Sequence, residues 1–122
     1  MTLDDLKKNL GIIREVMDTK VGIDNPTGVA EKLEQLQGVA GLSAECIAWS
    51  RKRYDEKLKF LTMNKAYNNY TATEKKMIFG GEASEEIFLV NYAESLNKDY
   101  HYSVEAVRTL LSYLKEEMRA VK

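Results

Sequence analysis

The stretch SEEIFLVNYAESLNKDYHYSVEAVRTLLSYLKEEMRA, residues 84–120, decides the fold. Within it Leu89, Ala93, Leu96, Tyr100, Ser103, Val107, Leu110 and Leu114 recur at alternating steps of four and three, with Val104, Leu111 and Met118 beside them. That period keeps one face of a helix apolar over its whole length. Ser84 followed by Glu85 and Glu86 supplies the start, because the positive end of the helix dipole favours carboxylates. A helix over 84–120 at 1.5 Å per residue measures roughly 55 Å, against about 35 Å for the diameter of a compact globule of this length.

Upstream, the same rhythm recurs and is punctuated. Gly80 and Gly81 end a short helix predicted over 72–79, which Thr71 and Glu74 open as a capping box. Val29, Leu33, Leu36, Ala40, Ser43, Ile47, Ser50, Tyr54 and Leu61 predict one long helix over 26–67, with a soft spot at Gly38 and Gly41. The small residues Ala40, Ser43 and Ser50 on its inner face let a neighbouring backbone approach closely. Asn25 and Pro26 form its cap and first residue, and a loop over 20–25 precedes it. Thr2, Asp4 and Asp5 open a first helix over 2–19 whose stripe is Leu3, Leu6, Leu10, Ile13 and Met17. The single proline, Pro26, leaves nothing downstream to break a helix. The expectation is one all-α domain over 1–122: an elongated helical bundle or coiled-coil-like hairpin of three to four helices, two of them long. The last helix outruns what the chain can cover, so a second copy is expected, with Leu89, Ala93, Leu96, Tyr100, Val107, Leu110 and Leu114 as packing or oligomer seam.

Composition narrows the function classes. A formal net charge of -1 argues against attraction of the whole molecule to nucleic acid or membrane. No window approaches 18 consecutive apolar residues, so no membrane span is expected. Cys46 is the only cysteine, and Met1 to Leu10 mixes Asp4 and Asp5 with leucine rather than following a secretory layout. A cytoplasmic location is the expectation.

Catalytic vocabulary is thin. His101 is the sole histidine, in mid-helix, and it would have to serve any triad. One histidine and one cysteine cannot fill a tetrahedral zinc site without carboxylates or a second subunit. Asp55 with Glu56, Glu85 with Glu86 and Glu116 with Glu117 are adjacent pairs that diverge by about 100° on a helix, so they do not converge on one metal. Lys98 stands where a Glu-x-x-His motif would need its glutamate. Gly80 and Gly81 lack the lysine and the strand of a phosphate loop. Cys46 reads as a buried thiol. No enzyme, metal or cofactor is expected.

One local bias stands out. Between Trp49 and Phe79, eight basic residues face three acidic ones, a net of +5 that leaves -6 for the rest of the chain. Arg51, Lys52, Arg53, Lys57, Lys59, Lys75 and Lys76 are candidate phosphate contacts, with Trp49, Tyr67 and Tyr70 as candidate stacking faces, the components of single-strand nucleic-acid binding. Two other readings compete: a solvated helix face, and internal pairing with Glu82, Glu85 and Glu86.

Leu42-Ser43-Ala44 leading to Ala48 and Tyr54, the capped Thr71 to Glu74 stretch, and Leu110-Leu111-Ser112-Tyr113-Leu114-Lys115-Glu116-Glu117-Met118 together resemble the small helical proteins of bacteriophages and prophages, encoded among early or recombination genes. The likeness runs from Leu42 to the end. It implies a bacterial host cytoplasm and a non-enzymatic role. Three functions follow as expectations: a helical interaction or assembly protein, a single-stranded nucleic-acid accessory factor, and an inhibitor of a bacterial defence protein.

Overall fold

The computed structural model describes residues 1–20 and 25–120, all helix and turn with no strand among them. Five helices follow in order: α1 (Leu3–Asp18), α2 (Pro26–Gly38), α3 (Ala40–Met63), α4 (Ala72–Glu82) and α5 (Ser84–Ala120), with a 3-10 turn at Lys65–Tyr67 between α3 and α4. Three starts use the predicted caps. Asp5 N–H donates to Thr2 Oγ1 at 3.1 Å while Thr2 N–H donates to Asp5 Oδ2 at 3.2 Å. Thr71 and Glu74 repeat this reciprocal box, and Asn25 accepts from Thr27 N–H at 3.1 Å ahead of Pro26. Each cap satisfies backbone donors that the first helical turn leaves free.

The core forms where α1, α2 and α3 lie on α5. Leu6, Leu10 and Ile13 of α1, Leu36, Val39 and Cys46, and Leu89, Ala93, Leu96, Tyr100 and Val104 of α5 form one buried cluster. Burying one large aliphatic side chain contributes about 1.5–3 kcal/mol, so this cluster holds the fold together. Polar links fix the positions. Ser43 Oγ donates to Asn97 Oδ1 at 2.9 Å and Arg51 pairs with Glu94 at 2.7 Å, which sets α3 antiparallel to α5. Lys7 pairs with Glu85 at 3.4 Å and places α1 beside the first half of α5.

Lys32 is the one charged residue buried in the described structure, 4% exposed. Its ammonium donates to the carbonyls of Val16, Met17 and Thr19, the last two at 3.0 and 2.7 Å. These are the carbonyls that the end of α1 leaves without helical partners, at the negative end of its dipole. Desolvation pulls the Lys32 pKa below its ordinary value, and Asp18 opposes that pull.

The helix predicted over 26–67 is corrected to two. Val39 leaves the helical region at φ -105° and ψ 6°, and α3 then stops at Met63. Two glycines flank the break, each costing about 1 kcal/mol against alanine. The break also has a use. It frees the Leu36 carbonyl, which accepts Val39 N–H at 3.2 Å and the buried Tyr100 hydroxyl at 2.7 Å. Gly80 and Gly81 do not end α4; it runs on to Glu82 and turns at Ala83, which is fully buried. Ser43 and Ser50 are buried as expected of an inner face, whereas Ala40 is exposed because α3 begins there. Residues 21–24 of the predicted loop over 20–25 lie outside the described residues. The predicted helix over 84–120 is α5, unbroken over 37 residues.

Candidate functional site

On α5 the predicted seam is divided. Leu89, Ala93, Leu96, Tyr100 and Leu114 are buried, while Val107 and Leu110 are half-buried. Most of this stripe is therefore used inside the chain, against α1, α2 and α3. Tyr100 shows the degree of enclosure: burial raises its phenol pKa, with Arg108 pulling slightly the other way. Coverage runs out toward the carboxyl end. Leu111 is half-buried and Met118, one heptad further on, is 57% exposed, although Leu114 between them is buried.

The basic segment maps onto α3, the 3-10 turn and α4. At about 100° per residue, Arg51, Lys52 and Arg53 spread around α3 rather than lining one side. Arg51 is engaged with Glu94, its Nε and Nη2 reaching the same carboxylate oxygen at 3.2 and 2.7 Å. Lys52 lies over the Trp49 ring, 4.7 Å from its centroid. Arg53 is half-buried, and its Nε is shielded from solvent with no acceptor among the described residues. Lys57 and Lys75 are half-buried; Lys59 and Lys76 are exposed.

The stacking candidates are largely occupied. Trp49 is half-buried under Lys52, and Tyr67 meets Phe79 edge-on at 5.4 Å. Tyr70 is 43% exposed and lies 6.2 Å from Tyr67. Aromatic character within the basic segment singled out Trp49, Tyr67 and Tyr70, which are not the side chains that are most open. Phe60, Met63 and Met77 are 65, 72 and 74% exposed. A wheel drawn for α3 alone would have put Phe60 and Met63 off the buried face, since they lie away from Cys46, Ser50 and Leu61. The proposed pairing of this segment with Glu82, Glu85 and Glu86 is corrected in part: Glu85 pairs with Lys7 of α1, and Arg51 with Glu94 further along α5.

His101 is exposed, with the Tyr100 ring edge-on to it at 5.3 Å. Cys46 is fully buried, and desolvation raises its thiol pKa, which suppresses the thiolate. Among the described residues no three histidine, cysteine or carboxylate groups gather as metal ligands, and no helix is long and apolar enough to cross a membrane. A shallow groove of about 320 Å³ lies between α1 and α5, lined by Lys7, Leu10, Gly11, Phe88, Leu89 and Tyr92. Phe88 and Tyr92 stack at 6.0 Å along its edge, so it is an apolar seat without acid–base groups other than Lys7. Neither protein-family models, nor curated proteins, nor solved structures give a match to this chain.

Proposed function

We propose that the protein is a non-enzymatic helical interaction protein that associates with a second copy along the carboxyl-terminal half of α5. The observation that carries this is the α5 face beyond Val104: Val107, Leu110 and Leu111 are only half-buried and Met118 is 57% exposed, with Leu114 as the buried position among them. Surface area agrees. The chain exposes 8470 Å², whereas a compact monomer of 13.9 kDa exposes roughly 6,700 Å². Charge agrees too, because from His101 to Ala120 three basic residues balance three acidic ones, so two copies meet there without net repulsion.

Light scattering coupled to size exclusion tests this. The wild-type chain elutes as a dimer at about 50 µM, a concentration that populates any micromolar dimer, and Met118→Glu with Leu110→Glu elutes as a monomer. A wild-type monomer at that concentration ends the proposal. The single-strand reading retains Phe60 and Tyr70 as open aromatic faces among lysines, and it requires oligonucleotide affinity that falls steeply with salt.

A further inference from the structure

α3 carries a second stripe that the chain leaves open. Trp49, Arg53, Glu56, Phe60 and Met63 follow one another at steps of four, three, four and three, the spacing of a coiled-coil seam. They lie on a flank of α3 distinct from the face that buries Cys46, Ser50 and Leu61. Exposure rises along the stripe. Trp49 is packed in part against the core, Arg53 is half-buried, and Phe60 and Met63 are 65 and 72% exposed. The positions that border such a seam set the choice of partner by charge. Between Trp49 and Met63, three of the four such positions are lysine: Lys52 and Lys59 on one border, and Lys57 with the buried Ser50 on the other.

We infer that this flank of α3 receives an amphipathic helix of a partner protein, one with apolar residues along its seam and carboxylates along its borders. A second copy of this stripe is a poor occupant, because lysine would face lysine along both borders. Arg53 supplies the register. Its side chain is half-buried on the seam and still reaches solvent in part, so a partner carboxylate at that level can meet the exposed part of the guanidinium. Single-stranded nucleic acid fits less well. Lys52 already covers the Trp49 face, Tyr67 and Phe79 are turned on each other, and Met63 offers no ring to stack on. This surface is separate from the α5 seam, so failure of either assignment leaves the other standing.

The test uses the full chain and three labelled probes followed by fluorescence anisotropy. The first is a synthetic peptide of about three heptads with leucine along the seam and glutamate on both borders. The second carries lysine in place of glutamate, and the third is an oligothymidine of about 20 nucleotides. The acidic peptide binds at least roughly tenfold more tightly than the basic one, and Lys52→Glu with Lys59→Glu reverses that preference. Met63→Ala weakens the acidic peptide while helix content by circular dichroism stays unchanged, since Met63 is exposed. Equal binding of both peptides, or none at about 100 µM, overturns the inference. Tighter binding of oligothymidine, lost in Phe60→Ala, overturns it in favour of nucleic acid.

Discussion

The half of the molecule built on α1 and the segment running from the end of α3 through α4 are both helical and both carry apolar residues, yet they use them differently. Leu6 and Ile13 of α1 are fully buried, whereas α4 buries no residue fully, its Ile78 and Phe79 being half-buried, and Met77 on it is the most exposed large apolar side chain among the described residues. Helical period alone does not separate the two. What separates them is whether another helix of the same chain lies alongside, since isolated short helices gain little from propensity and most of their stability comes from a packed face. The packed half is where the fold is made, and the open segment is where apolar side chains are left for something else.

That contrast sets the largest expected effect. Leu6→Ala should cost about 2–5 kcal/mol, because it removes a fully enclosed side chain and leaves a cavity. Met77→Ala should stay within about 0.5 kcal/mol. Urea unfolding followed by circular dichroism measures both. A large cost for Met77→Ala would mean that α4 is covered in solution, and the comparison would fail.

A smaller effect belongs to the joint between α2 and α3. Tyr100→Phe removes the hydroxyl that caps the Leu36 carbonyl and should cost about 1 kcal/mol near neutral pH. The sign with pH follows from burial, which raises the Tyr100 pKa above its ordinary 10.0 by favouring the neutral phenol. Its contribution is therefore complete below pH 10 and is lost as pH climbs through the raised value. The stability gap between wild type and Tyr100→Phe should narrow above pH 10. A gap that stays constant through this range would show that the hydroxyl is not enclosed.

What could be read beforehand divides along the same line. Thr2 with Asp5, Asn25 with Pro26, and Thr71 with Glu74 are local hydrogen-bonding chemistry, so three helix starts were legible from residue types at fixed offsets. The core stripe of α5 was legible because a buried face imposes its period over many turns. The break at Val39 was not, since two glycines weaken a helix without ending it. The deciding partner, the Tyr100 hydroxyl, comes from 64 residues away in the chain. The reversal at Gly80 and Gly81 has the same origin: both glycines stay helical, and the turn falls at Ala83, whose methyl is small enough to be fully buried at the joint. On the open flank, Trp49 was chosen for being aromatic, while Phe60 and Met63 were passed over although the wheel of α3 sets them off its buried face; that they stay exposed in the fold is what α3 alone does not reveal.

Those same glycines give the smallest and most discriminating test. Gly80 has no positive φ, and a Cβ built on it would meet nothing within 4 Å, so alanine fits without strain. Gly80→Ala should stabilise α4 by roughly 0.5–1 kcal/mol, by raising helix propensity and restricting the unfolded chain. Where that gain is seen depends on how α4 is joined to the rest. A helix with no buried side chain opens locally, below the free energy of global unfolding. Hydrogen exchange of the α4 amides should therefore slow by roughly two- to fivefold. Exchange in α1 and in the first half of α5 should not change. If protection rises equally in α1, α4 and α5, the open segment and the packed half unfold as one unit, and the distinction between them is one of exposure without independent stability.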